Sequence, residues 1–161
     1  MDFYNSIAKY YDLIFPYKPI QKQFVEQHAP SAAKLLDIGC GTGDLAIALQ
    51  QAKHSVTAID LDTEMIHKAT QKLSDVNFLV ENMLTIDKKF EKASFDTIFC
   101  FGNTLVHLAD RNEIKAALGV QKQLLKPNGS LLMQVINYDR IFSKKLDGLS
   151  CIETNEIRFE R

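Results

Sequence analysis

The chain has 161 residues, 46% of them hydrophobic, which is enough to close one packed domain and argues against long disorder. With 19 Lys and Arg against 20 Asp and Glu the formal charge is −1, so no global field draws the protein to nucleic acid or to an anionic bilayer. No apolar stretch approaches the ~20 residues needed to cross a membrane, and Met1-Asp2-Phe3-Tyr4-Asn5 lacks the basic-then-apolar order of a secretory signal, so the expected compartment is the cytoplasm.

In chain order, Asp2–Ile14 and Pro19–His28 read as two helices accompanied by many aromatics, among them Tyr4, Tyr10, Tyr11 and Phe15. They suit a cap, a lid or ordinary core equally. Short apolar runs follow at Lys34–Ile38, Ser55–Ile59, Val76–Val80, Phe95–Phe101 and Ser130–Ile136. Between the first three lie apolar residues at helical spacing: Leu45, Ala48 and Leu49, then Met65, Ile66, Ala69 and Leu73. Asp110–Leu125 predicts a further helix, which Pro127-Asn128-Gly129 is expected to stop and turn.

Nearly continuous apolar strands alternating with helices predict an α/β, doubly wound, mostly parallel Rossmann-like sheet with helices on both faces. The expected organisation is a helical cap over 1–30, a nucleoside-binding core over 31–139 and a substrate-side segment over 140–161. Ile152, Ile157 and Phe159 alternate with polar residues like the start of a half-buried strand, which would leave the sheet short of its last strands. An uncovered sheet edge would favour self-association into a homo-oligomer.

The richest stretch is Leu35-Leu36-Asp37-Ile38-Gly39-Cys40-Gly41-Thr42-Gly43-Asp44, an apolar strand running into a glycine turn and then a helix. In a doubly wound fold such a turn lies at the carboxyl end of the first strand, where ligands bind. Gly39, Gly41 and Gly43 let the backbone approach a ligand and adopt positive φ. The next strand ends at Asp60, close to the ~20 positions beyond the first glycine at which an acidic residue holds ribose hydroxyls.

Charge then discriminates between nucleoside cofactors. A dinucleotide fingerprint needs its third glycine where this chain has Asp44, and a carboxylate there would repel a pyrophosphate resting on the helix amino terminus. S-adenosylmethionine carries no phosphate but does carry a sulfonium cation, and it suits the acidic Asp37, Asp44 and Asp60. Asp44 also reads simply as a helix-capping residue. A buried strand ending in Asp60 needs a partner for that carboxylate, which favours a ligand there. Asp60→Ala is accordingly expected to leave the ligand-free melting temperature nearly unchanged while abolishing a cofactor-induced rise.

Leu35–Gly43 and Val56-Thr57-Ala58-Ile59-Asp60 resemble the first two motifs of class I S-adenosylmethionine-dependent methyltransferases. Glu81-Asn82-Met83-Leu84-Thr85, Phe101-Gly102-Asn103-Thr104-Leu105-Val106-His107-Leu108 and Asn137-Tyr138-Asp139 resemble, in order, segments of glycine N-methyltransferase and its small-molecule relatives. The resemblance implies that Asn82 and Met83 border the adenine, that Phe101 and His107 lie by the cofactor, and that Asn103 stands near the transferred methyl as the catalytic candidate. It places Tyr4 or Tyr11 among the amino-terminal tyrosines of the family. The family's arginine for a substrate carboxylate, directly before Asn-Tyr-Asp, is replaced by Ile136, and an aliphatic side chain makes no bidentate clamp.

Read without the resemblance, His107 is a core or capping imidazole and Asn103 shapes a turn. His28, His54 and His67 show no metal-ligand spacing and read as surface residues, and Cys40, Cys100 and Cys151 read as packed thiols, so no metal is expected. No basic cluster tracks phosphates, and the chain lacks the Asn-Pro-Pro-aromatic segment of base-methylating families. The expected partner is therefore a small molecule, with neither nucleic acid nor membrane. The rival readings are an NAD-dependent oxidoreductase and a noncatalytic cofactor-binding module.

Overall fold

The computed structural model describes residues 7–160. Tyr4 and the first part of the expected Asp2–Ile14 helix lie outside them. The chain divides into two compact units, one over Tyr17–Val135 and one joining the residues up to Pro16 with those from Ile136 onward.

The first unit holds five parallel strands, β1 (Lys34–Ile38), β2 (Ser55–Asp60), β3 (Asn77–Val80), β4 (Phe95–Cys100) and β5 (Leu125–Met133), in the order β3-β2-β1-β4-β5. The order reverses direction at β1, and β1 and β4 therefore frame the switch point at which open α/β sheets bind ligands. Helices α2 (Pro19–His28), α3 (Asp44–Gln51), α4 (Thr63–Gln71) and α5 (Arg111–Leu124) belong to this unit; α1 (Tyr11–Ile14) belongs to the other.

Period-two alternation sends neighbouring strand residues to opposite faces. Leu35, Phe99 and Phe101 join Val25 of α2 and Ala46 and Leu49 of α3 in one core cluster. Leu36, Ile38, Ile98 and Cys100 join Val120 and Leu124 of α5 in the other. The helix Pro19–His28, grouped from sequence with the amino-terminal cap, thus packs on the sheet through Val25. Asp62 caps α4 by accepting the Glu64 and Met65 N–H groups, and Asp110 caps α5 by accepting those of Asn112 and Glu113.

The last strand departs from expectation. Helix α5 ends at Leu124, and β5 begins at once and ends at Met133 rather than at Ile136. Phe95 pairs with Leu125 and Thr97 with Ser130, so Lys126-Pro127-Asn128-Gly129 bulges out opposite Asp96 instead of separating helix from strand. Pro127 has no N–H for the ladder, and Asn128 takes the left-handed φ of +65°. A Cβ on Gly129 would stand 2.9 Å from the Asp96 carbonyl oxygen, so the bulge closes only over glycine.

In the second unit Tyr11 packs its ring 5.2 Å from that of Phe15, which meets Phe159 edge-on at 5.8 Å. Asn137 caps α6 (Tyr138–Ser143) by accepting the Arg140 N–H. The strand expected over the last residues is instead a short antiparallel pair, β6 (Ile152–Glu153) with β7 (Arg158–Phe159). Thr154 explains the fold-back: its hydroxyl oxygen accepts from the Glu156 and Ile157 N–H groups, and its own N–H donates to the Ile157 carbonyl. No helix among the described residues is long and apolar enough to cross a membrane.

Candidate active site

Everything at the switch point begins with the end of β1. Gly39, Gly41 and Gly43 all take left-handed φ values, +74°, +54° and +81°, which L side chains rarely adopt. The Gly39 and Cys40 N–H groups both donate to the Ile59 carbonyl, at 2.8 and 3.0 Å, and the Gly43 N–H closes the turn on Cys40. A Cβ on Gly39 would overlap the side chain of Thr104, and one on Gly43 would lie 2.5 Å from the Phe78 ring. Two of the glycines are therefore required by the protein's own packing as well as by φ.

Asp60 ends β2 beside this turn and is half-buried. Its Oδ2 accepts the Gly41 N–H at 2.8 Å and its Oδ1 accepts the Asp62 N–H at 3.0 Å. The carboxylate thus braces the glycine turn, which points against the expectation of a nearly unchanged ligand-free melting temperature on its removal. Burial raises the Asp60 pKa, partly offset by the N–H groups of Asp62 and Gly41. Asp37, 4% exposed in β1, is raised well above the ordinary value of 3.8 by burial and then by the neighbouring charge of Asp60. Burial, then the charges of Asp37 and Asp60, push the Cys40 thiol up as well, which disfavours its thiolate. Neither aspartate has an ion-pair partner among the described residues.

Asp44 behaves differently. Gly43, not Asp44, occupies the N-cap of α3, and Asp44 pairs with Lys72 at 2.5 Å. The negative charge that was expected to repel a pyrophosphate is thus paired with a lysine beyond α4, and what still separates this turn from a dinucleotide fingerprint is the missing third glycine at position 44.

The remaining candidates stand on separate elements. Asn82 folds the loop after β3 through its Oδ1, which accepts the Leu84 N–H at 2.9 Å, and Met83 packs against the core. Phe101 is 8% exposed and stacks obliquely on Phe99 and Phe24, at 5.4 and 6.2 Å, so it is chiefly a core residue. It also walls a cavity of about 340 Å³ lined further by Ile20, Gln21, Phe24, Gln27, Met133 and Gln134. Gly102 and Asn103 follow with consecutive left-handed φ values of +70° and +69° and lead into a 3₁₀ turn, Thr104–His107. His107 ends that turn exposed, against the reading of a core imidazole. Tyr11 lies in the other compact unit.

The expectation of surface histidines fails at one of three. His54 is 8% exposed, and its Nδ1 accepts the Ala33 N–H at 3.1 Å, so it is a satisfied core histidine at the foot of β2. Among the described residues no cluster of His, Cys, Asp and Glu is placed to hold a metal ion.

Sequence reasoning missed three residues. Leu61 directly follows Asp60 and is 56% exposed, a signal readable as an apolar residue after a strand-ending carboxylate. Thr104 covers Gly39 and donates its hydroxyl to the Phe101 carbonyl at 2.8 Å. Gln134 accepts the Gly102 N–H at 3.1 Å.

The donor set fits a phosphate-free cationic nucleoside: a left-handed backbone turn, two desolvated carboxylates with no cation of their own, and an exposed aliphatic side chain alongside. The family described as methyltransferase domain matches residues 35–129, which run from β1 through the glycine turn to the bulge in β5. The chain belongs to the methyltransferase domain family. YqeM of Bacillus subtilis (strain 168), whose name assigns it provisionally as a methyltransferase, is 31% identical over 82% of this chain and 55% of its own length. Glycine N-methyltransferase of Mus musculus is 32% identical over 68% of this chain and 42% of its own. The solved structure of CalS10, an amino pentose methyltransferase from Micromonospora echinaspora with its cofactor bound, covers 85% of this chain and 57% of its own at a TM-score of 0.69 and 24% identity, a likeness of fold. The chain spans 55% and 42% of the lengths of the two curated relatives. The expected kinship with class I methyltransferases, and the Rossmann-like α/β sheet that goes with it, are borne out.

Proposed function

We propose that this methyltransferase domain binds S-adenosylmethionine at the β1 turn and transfers its methyl group to a small-molecule acceptor, an amine by preference. The observation that carries the reading is the pair Asp37 and Asp60, both desolvated and both without a cation, flanking a glycine turn at the switch point. CalS10 is titled as a structure with S-adenosylmethionine bound, which supports the same cofactor here.

When bound, the cofactor supplies a methyl group on a positively charged sulfur, already activated for in-line displacement. The chain's own residues have the task of binding and alignment. A carboxylate offers about four lone-pair sites, and the Gly41 and Asp62 N–H groups take one on each oxygen of Asp60 with the Leu61 N–H also facing it, which leaves acceptor capacity for a ribose hydroxyl. Asn82 uses its Oδ1 to accept the Leu84 N–H, and its amide NH₂ would be the donor available to an adenine acceptor. Asp37 supplies negative potential behind the turn, where a cationic ligand lowers its raised pKa. Asn103, on its left-handed turn beyond β4, is the candidate that orients the nucleophile. Holding the reacting atoms in line can supply ~7–11 kcal/mol of the barrier. An amine that binds neutral needs no general base. The name of glycine N-methyltransferase supports nitrogen as the acceptor atom, while Ile136 argues against an acceptor held by its carboxylate.

Titration calorimetry with S-adenosylhomocysteine tests the reading. Saturable one-site binding is expected, and a chain that binds NAD but not S-adenosylhomocysteine overturns it in favour of an oxidoreductase.

A further inference from the structure

The turn beyond β4 that carries Asn103 is anchored from outside its own strand. β4 and β5 pair up to Cys100 with Met133, and the next residue of β5's path, Gln134, is fixed by its own N–H, which donates to the Cys100 carbonyl at 3.0 Å. From that clamped backbone the Gln134 side chain crosses to β4 and accepts the Gly102 N–H through Oε1 at 3.1 Å. On the other flank Thr104 donates its hydroxyl to the Phe101 carbonyl at 2.8 Å. Two side-chain tethers therefore bracket Gly102 and Asn103, the two consecutive residues with left-handed φ. Nothing in local packing does this work at Gly102: a Cβ there would meet no atom within 4 Å. At Gly102 the turn is held by a hydrogen bond rather than by side-chain contact, and Gln134 supplies it from another strand.

Gln134 also stands on the wall of the 340 Å³ cavity, with Phe24, Phe101 and Met133. Its carbonyl is committed to Gly102, so the group it offers toward the cavity is the amide NH₂.

We propose that Gln134 is a positioning residue for methyl transfer: its side-chain carbonyl holds the Gly102–Asn103 turn in its left-handed form and so sets where the Asn103 amide stands. The proposal rests on the methyltransferase reading above. It makes position 134 act on transfer and not on cofactor binding, because the hydrogen bonds of Gln134 go to Gly102 and Cys100 and not to the β1 turn or Asp60.

The test compares the chain with Gln134→Leu, which removes the acceptor, and Gln134→Glu, which keeps an oxygen to receive the Gly102 N–H. Three readouts are taken: S-adenosylhomocysteine affinity by calorimetry, methyl transfer from radiolabelled S-adenosylmethionine to a metabolite extract, and hydrogen exchange of the Gly102 amide by NMR. Gln134→Leu is expected to leave the affinity unchanged, to expose the Gly102 amide to exchange, and to lower transfer roughly tenfold or more, since a misplacement of ~1 Å can cost ~10²-fold. Gln134→Glu restores both protection and transfer. Unchanged transfer in Gln134→Leu overturns the proposal, as does a Glu variant that protects Gly102 yet transfers as poorly as the Leu variant. Failure of the unsubstituted chain to bind S-adenosylhomocysteine overturns the cofactor reading instead, and Gly102 exchange equally fast in the chain and in Gln134→Leu overturns the tether by itself.

Discussion

The turns beyond β1 and β4 stand at the ends of neighbouring parallel strands, and both run through left-handed residues, yet they are held in opposite ways. The β1 turn is closed by contact as well as by hydrogen bonds. Thr104 lies on Gly39 and Phe78 on Gly43, and Asp60 braces Gly41 from the next strand. The β4 turn has open space around Gly102 and depends on the hydrogen bonds from Gln134 and Thr104. A tightly packed turn suits a cofactor whose common part is always the same shape. A tethered, open one suits an acceptor that must enter and leave. Thr104 joins the two, since the residue that shapes the β4 turn also covers the first glycine of the other.

Substitutions at the two turns should separate contact from tether. Gly39→Ala is expected to cost most, about 3 kcal/mol of unfolding free energy, from left-handed strain added to overpacking. The Thr104 Cβ itself lies 2.9 Å from the new methyl position, so Thr104→Ala should recover only part of the loss, as read from urea midpoints of the single and double variants. Asp60→Ala should cost about 1–2 kcal/mol without ligand because two N–H groups lose their acceptor, and should also abolish thermal stabilisation by S-adenosylhomocysteine. A ligand-free melting temperature equal to that of the unsubstituted chain would show that the brace on Gly41 contributes nothing.

Asp37 is expected to act with the opposite sign. Its folded pKa is raised by burial, so its contribution to stability is fully present below the ordinary value of 3.8 and is lost as pH rises through the folded value. Asp37→Asn should therefore melt higher than the unsubstituted chain near neutral pH and flatten the fall of melting temperature with rising pH; a residual fall of the same sign belongs to Asp60. The same variant should bind S-adenosylhomocysteine less tightly than the chain with Asp37 if the carboxylate serves the ligand. Gly102→Ala should cost only about 1 kcal/mol, the left-handed penalty without a clash. Lys72→Met should cost least, about 0.5 kcal/mol or less, because the Lys72–Asp44 pair is partly exposed at both ends. If Gly102→Ala proves as costly as Gly39→Ala, the contrast between the turns fails.

Much of this arrangement could be read along the chain. The apolar runs and the helical spacing between them located four of the five strands to within a residue, because strands buried on both faces are apolar nearly throughout. The glycines and Asp60 were legible because the left-handed turn and the strand-ending carboxylate leave local signatures. The bulge in β5 was not: Pro127-Asn128-Gly129 has turn chemistry wherever it occurs, and only pairing with β4 decides that the chain returns to the same ladder. His54 looked like a surface residue because its hydrogen-bond partner, the Ala33 N–H, comes from the loop before another strand. Asp44 looked like a helix cap because its partner Lys72 lies beyond the following helix.

Sequence alone determined which backbone positions could turn left-handed, which strand ended in a carboxylate, and that the chain would build an α/β sheet, since each follows from residue chemistry and local period. Tertiary structure decided what those residues do to each other. Strand order brought Thr104 over Gly39, Asp60 under Gly41 and Gln134 against Gly102, pairings between residues far apart in the chain whose energies exist only once parallel strands have fixed their ends side by side.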